Sequence, residues 1–128
     1  MNSHAFTLKS GYRGVPPGTG AISSQDIASC NWSPARGEMA LPLLSLNQGV
    51  LKENISTMMA IVAHFGITIA PHGKTPMSPA LASLLVDAGA IGTSVADLRQ
   101  AEVMLEGGLY RILLATQLGG QSAVNRLV

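Results

Sequence analysis

The chain has 128 residues, of which 47% are hydrophobic and 12% are charged, with a formal net charge of +1. This charged fraction is about half of the roughly 25% found in average globular domains. Such a composition suits strands that are buried on both faces, as in parallel α/β sheets. The 8 lysine and arginine residues are scattered and form no basic stripe that could follow a phosphate backbone, which argues against nucleic-acid binding.

The cysteine content and the apolar runs indicate the compartment. A single cysteine, Cys30, excludes an internal disulfide and fits a reducing environment. Residues 1–14 hold no apolar core of signal-peptide length. No uninterrupted apolar run reaches the roughly 20 residues that span a bilayer. We therefore predict a cytoplasmic protein without a membrane partner.

Two regions of the chain differ in composition and periodicity. Residues 1–38 are rich in Gly, Pro and Ser and show little periodicity, which predicts an irregular amino-terminal leader. Residues 39–128 alternate strand-like and helix-like segments, and we assign them to an incomplete barrel domain. Strands are predicted at residues 40–46, 67–70, 90–93 and 111–115.

A helix is predicted after each of these strands. The first carries apolar residues at helical spacing between positions 51 and 65 and ends at Gly66. The second begins with Ser78 as N-cap and Pro79 as first helical residue, and Gly89 closes it. The others are predicted at about 96–106 and after Gly119-Gly120.

Repeated alternation of strand and helix predicts an α/β fold with a parallel sheet. About four such units fit into the chain, half of the eight in a (β/α)8 barrel. A doubly wound sheet fits the same pattern. Because the sequence stops within the fourth predicted helix, we expect a truncated barrel.

The segment most suggestive of chemistry is Pro71-His72-Gly73-Lys74-Thr75, at the carboxyl end of the second predicted strand. Parallel α/β folds place their ligand sites at this end. His72 and Lys74 are two residues apart and are predicted to point the same way. A lysine among small apolar residues loses solvation, which favours the neutral amine that forms a Schiff base with an aldehyde. The alternative is an ordinary lysine at a surface tip.

The stretch APHGKTPMSPAL, residues 70–81, resembles the cofactor-lysine signature of fold-type III pyridoxal 5'-phosphate (PLP) enzymes. It resembles most the branch of D-serine dehydratases, amino acid deaminases and D-threonine aldolases. The resemblance covers about residues 32–128 and includes segments 41–43, 87–96, 100–102 and 111–120. It implies the amino-terminal part, about four βα units, of an alanine-racemase-like (β/α)8 TIM barrel.

The resemblance also implies a function. It indicates a PLP-dependent lyase of the deaminase or dehydratase type that acts on D-amino acids or hydroxy-amino acids through a Schiff base on Lys74. A D-threonine-aldolase-like lyase, a non-catalytic PLP-binding protein and a remnant without a ligand are the alternatives. The family's later strands and carboxyl-terminal domain have no counterpart in this sequence, so we expect little or no turnover from this chain by itself. An amino acid substrate is the expected small-molecule partner, and a homodimer is left open.

Five residues are predicted to form the site. Lys74 would be catalytic and would bind the cofactor, while His72 would orient the ring or the lysine; its alternative role is a packed histidine bonded to backbone. Thr75 would contact the cofactor or cap the turn. Thr93 and Gln117, at or just beyond the third and fourth strands, are predicted to point to the same rim. No cluster in the sequence has metal-ligand spacing, so a divalent metal, used by several relatives, is expected only in a longer form.

Overall fold

The computed structural model describes residues 5–126, which fall into two compact units divided between Leu46 and Asn47. Within the described residues, none of the helices has the length and apolar character needed to cross a membrane. The predicted division into a leader, 1–38, and a barrel domain, 39–128, stays a prediction.

The first unit is largely irregular. It contains two antiparallel strands of two residues each, β1 (Thr7–Leu8) and β2 (Ile22–Ser23). Thr7 pairs with Ser23. Two short 3-10 turns follow, at Ile27–Cys30 and Pro34–Arg36.

The predicted strand at residues 40–46 is wrong. These residues are described, and they form bends and irregular chain without strand pairing. Pro42 lacks an N–H group to donate to a neighbouring strand. Apolar character alone therefore misled the prediction, because a strand needs a partner as well as apolar side chains.

Four helices lie in the described part of the second unit, residues 47–126. They are α1 (Gln48–His64), α2 (Pro79–Asp87), α3 (Leu98–Glu106) and the short α4 (Gln121–Asn125). Ser78 is the N-cap of α2 and Pro79 its first residue, so this predicted start is confirmed. Gly66, just beyond α1, has a left-handed φ of 61°, a conformation that glycine adopts without the steric cost of a Cβ atom.

Two strands of the second unit pair in parallel. They are β3 (Thr93–Val95) and β4 (Ile112–Leu114), and Ser94 lies opposite Leu113 in the register. The third predicted strand, 90–93, therefore begins and ends later than expected, whereas the fourth, 111–115, contains β4. Likewise α3 begins at Leu98 rather than at about residue 96, because Asp97 is its N-cap.

Residues 69–73, here called the Pro71 segment, lie along the other edge of β3. Hydrogen bonds run from Ile91 N to Ile69 O and from Gly73 N to Ser94 O, both at 2.9 Å. His72 forms an isolated parallel bridge with Ser94. The predicted strand at 67–70 is therefore wrong as a regular strand, because pairing is sparse and Pro71 has no N–H to donate. The parallel direction is nevertheless confirmed.

The described residues of the second unit thus form a mixed α/β arrangement with three parallel segments in the order Pro71 segment, β3, β4, and they do not close into a barrel. Its core contains Ala82, Val95, Met104 and Leu109, with Val95 and Met104 at 0% exposure. Complete burial of a valine or methionine side chain contributes about 1.5–3 kcal/mol. The core therefore joins α2 and α3 to one face of the parallel segments. The TIM barrel stays a prediction.

Candidate functional site

Lys74 lies in a short turn that joins the Pro71 segment to α2. The carbonyl of Gly73 accepts a hydrogen bond from Met77 N at 3.0 Å, which closes the turn around residues 74–76. Ser78 then caps α2, accepting from Leu81 N at 3.4 Å. Both ends of the turn are therefore held, one by β3 and the other by a helix.

Met77 holds a left-handed conformation, with φ at 42°. For a residue with a side chain this conformation costs about 1–2 kcal/mol. The side chain of Met77 packs against the core cluster, which offsets that cost. The turn that carries Lys74 is thus fixed by packing as well as by hydrogen bonds.

The Pro71 carbonyl is held to β3 by two donors. Ser94 N and the hydroxyl of Thr93 each donate to it at 2.9 Å. Thr93 is only 2% exposed. The backbone before Lys74 is therefore held by a side-chain hydrogen bond from Thr93 as well as by a backbone hydrogen bond from Ser94.

Gly73 is buried where the Pro71 segment lies against the core. A Cβ atom at this position would lie 3.1 Å from the Thr93 hydroxyl oxygen and closer still to Met104. Glycine is therefore favoured between His72 and Lys74 by lack of space, since its φ is not left-handed.

Strand alternation defines a second face of the parallel segments, opposite the core. Val95 belongs to the core, so Ser94 points to the opposite face. In the register, His72, Ser94 and Leu113 form one row across the three segments. His72 is exposed, Leu113 is 56% exposed and Ser94 is 8% exposed. The sequence analysis did not identify Ser94 as a neighbour of His72, because that proximity depends on the register between the two segments.

The predicted site residues divide into two groups. His72, Lys74 and Thr75 lie together: Lys74 is half-buried, and Thr75 is exposed in the same turn. Gln117 follows the carboxyl end of β4, as Lys74 follows that of the Pro71 segment, and a rim shared by the predicted site residues stays a prediction. Thr93 opens β3 and points to the core, where its hydroxyl bonds to Pro71. Direct contact of Thr93 with a cofactor stays a prediction.

Gln117 lies beyond β4, the segment that pairs with β3 on the side opposite the Pro71 segment. It lines a cavity of about 500 Å³, together with Arg99 and Arg126. Both arginines are paired with carboxylates, Arg99 with Asp97 at 3.6 Å and Arg126 with Glu102. Their positive charge is therefore partly compensated within the chain.

A larger cavity, of about 700 Å³, lies between α1 and the Pro71 segment. Its lining is mostly apolar and includes Ile55, Met58, Ile69 and Leu85. Lys74 is not part of this lining. Its size alone does not make it the chemical site, because reactive side chains are missing from its walls.

Two charged side chains of the second unit differ in their hydrogen-bonding partners: Asp97, the N-cap of α3, and Lys74. The carboxylate of Asp97 accepts a hydrogen bond from Gln100 N at 2.9 Å, and this bond lowers the pKa of Asp97, with a further contribution from the nearby Arg99 cation. Within residues 5–126, by contrast, no hydrogen bond or ion pair engages the side-chain nitrogen of Lys74. This nitrogen is therefore available to an external group.

Comparison with solved structures gives a structural likeness. No family model and no curated protein matches the chain. The fold is similar to the crystal structure of D-threonine aldolase from Filomicrobium marinum, with a TM-score of 0.68 and 26% sequence identity. The match covers 70% of this chain and 24% of that one, so the chain spans about a quarter of the aldolase's length. The α/β arrangement described here is thus similar to part of a known enzyme.

Proposed function

We propose that this chain carries the cofactor-lysine region of a PLP-dependent lyase that acts on D-amino acids or hydroxy-amino acids. The observation that carries the proposal is the position of Lys74. It is half-buried, follows a parallel segment at its carboxyl end and lies in a turn held at both ends. The likeness to a D-threonine aldolase, a PLP-dependent lyase, supports the same reading.

The residues around Lys74 fit a planar aldehyde cofactor in two respects. First, the lysine nitrogen has no hydrogen-bond or ion-pair partner within residues 5–126, so no internal interaction must be broken before it reacts. Second, the neighbouring residue on the second face, His72, is exposed and is bridged to the small Ser94. A ring could lie over this part of the face without displacing a packed side chain.

When bound, PLP supplies an electron sink that stabilises the carbanion left by loss of the α-proton or by cleavage of the Cα–Cβ bond. Lys74 would bind the cofactor covalently through its amine and, once released, would hold or deliver a proton near the substrate's α-carbon. His72 would orient the ring from the second face. The hydrogen bonds to Pro71 and Gly73 would hold the backbone that carries both side chains.

Two reaction types fit this arrangement, and the structural likeness favours the aldolase type. An aldolase breaks the Cα–Cβ bond of a β-hydroxy-amino acid, so D-threonine gives glycine and acetaldehyde. A dehydratase eliminates the hydroxyl group, so D-serine gives pyruvate and ammonia. A non-catalytic PLP-binding protein would retain the Lys74 chemistry and form neither set of products.

The test is borohydride trapping of the purified chain. The protein is incubated with PLP, reduced and digested, and the labelled fraction of each of its lysines, Lys9, Lys52 and Lys74, is measured by mass spectrometry. Lys9 and Lys52 are exposed and serve as internal references. We expect several-fold preferential labelling of Lys74. Lys74→Arg retains the positive charge but should lose the signal at position 74 and leave Lys52 labelling unchanged.

Equal labelling of all three lysines, or no labelling of Lys74, would overturn the proposal. The substrate class is tested by repeating the trapping in the presence of D-threonine or L-threonine. Both enantiomers react equally with free PLP, so stronger protection of Lys74 by the D-enantiomer reports recognition by the protein. Equal protection by both would contradict the proposed preference for D-amino acids.

A further inference from the structure

Thr93 is a buried polar residue whose hydroxyl bonds to the backbone of the Pro71 segment. It is 2% exposed, and its hydroxyl donates to the Pro71 carbonyl at 2.9 Å. The same oxygen lies 3.1 Å from the position that a Cβ atom on Gly73 would occupy. One side chain therefore bonds to the backbone three residues before Lys74 and occupies the space into which a side chain at Gly73 would extend.

We propose that Thr93 is a positioning residue for Lys74, acting through the backbone of residues 71–73. The inference rests on the proposed function of Lys74 as the cofactor lysine. It assigns Thr93 a different role from the one expected from its sequence position, since its hydroxyl faces the core and acts on the Pro71 carbonyl instead of on a ligand.

The geometry explains why a hydroxyl is useful here. The Pro71 segment has few backbone bonds to β3, because proline donates none and only a single bridge, His72 to Ser94, is regular. The Thr93 bond adds a second donor to the Pro71 carbonyl beside Ser94 N. Without it, that carbonyl would retain one bond, and the segment could slide or tilt relative to β3.

Because Thr93 is buried, removal of its hydroxyl should cause a measurable change in how firmly the Pro71 segment is held. A hydrogen bond of this kind contributes on average about 0.5–1.5 kcal/mol, which corresponds to a roughly two- to tenfold change in a local equilibrium. Valine has nearly the shape of threonine without the hydroxyl, and serine retains the hydroxyl without the methyl group. These two substitutions separate the hydrogen bond from the packing.

The experiment compares wild type, Thr93→Val, Thr93→Ser and the core control Leu109→Val. Leu109 is 6% exposed and belongs to the core cluster. It donates no hydrogen bond to the Pro71 carbonyl. For each protein, PLP trapping gives the ratio of Lys74 to Lys52 labelling under conditions in which unfolding curves show the chain to be fully folded. Amide hydrogen exchange is measured at Gly73 and Ser94, whose N–H groups bond across the two segments.

We expect Thr93→Val to lower the labelling ratio roughly two- to tenfold and to speed exchange at both amides. Thr93→Ser should restore the ratio to that of wild type, and Leu109→Val should leave the ratio unchanged even if it lowers stability. A wild-type ratio in Thr93→Val, or an equal loss in Leu109→Val, would overturn the positioning role.

The two proposals fail in different ways. If wild type shows no preference for Lys74, the proposed function fails and the positioning role, which rests on it, fails as well. Faster exchange in Thr93→Val would then show only that the hydroxyl fixes the backbone. If wild type prefers Lys74 and Thr93→Val retains both the preference and slow exchange, the proposed function stands and the inference about Thr93 is wrong.

Discussion

A Cβ atom on Gly73 would lie 2.6 Å from Cε of Met104, a side chain with 0% exposure. This separation is well below a van der Waals contact. The methionine would have to move within a packed core, because no solvent lies beside it. The glycine next to the proposed cofactor lysine therefore lies close to the end of a buried side chain of α3.

Gly73→Ala should consequently destabilise the fold by about 1–3 kcal/mol, the range for overpacking a core. Urea unfolding followed by circular dichroism measures this change. Gly119→Ala is the matched control, because its Cβ atom would meet nothing within 4 Å and its φ is not left-handed. A similar loss of stability in both variants would show that the contact with Met104 is not the cause.

His72→Ala should separate binding from stability. The His72 side chain is exposed, and the bridge to Ser94 uses only backbone groups. We therefore expect the free energy of unfolding to stay within about 0.5 kcal/mol of wild type, while PLP trapping at Lys74 decreases. Leu113→Ala alters the same row on β4 and should leave trapping unchanged. Wild-type trapping in His72→Ala would remove His72 from the cofactor site and leave it as a surface residue.

Asp97 predicts a specific dependence of stability on pH. The hydrogen bond from Gln100 N lowers the pKa of this carboxyl in the folded state. Its contribution is therefore fully present above the ordinary aspartate pKa of about 3.9 and is lost as the pH falls through the lower folded value. Asp97→Asn retains an N-cap but does not titrate.

Urea unfolding at a series of pH values should consequently show a difference between wild type and Asp97→Asn that is constant near neutral pH. The difference should decrease only in the acid range below the ordinary aspartate pKa. Because every other carboxyl is common to both proteins, the comparison isolates Asp97. A difference that does not change with pH would mean that the charge of this cap does not contribute to stability.

Some features could be predicted because they depend on neighbours in sequence. The start of α2 at Ser78 and Pro79 follows from the need of free N–H groups for an acceptor and from the fixed φ of proline. The left-handed conformation of Gly66 follows from the absence of a Cβ atom. In both cases the determining atoms lie within a few residues of each other.

The strands were predicted less well. Residues 40–46 are as apolar as a strand, yet they have no strand partner among the described residues. Residues 90–93 were expected to be paired, whereas β3 occupies Thr93–Val95. Pairing decides both outcomes, and pairing joins residues that lie about 20 positions apart.

The sequence by itself determined that Lys74 follows a strand-like segment and precedes a capped helix, because those signals are local. Only the tertiary structure decided that Thr93 points to the core and Ser94 to the second face beside His72. The reason is the two-residue period of a strand: a shift of one position in register moves every side chain to the opposite face. The register of β3 with the Pro71 segment and β4 is set by contacts between distant residues, so it could not be read from either segment separately.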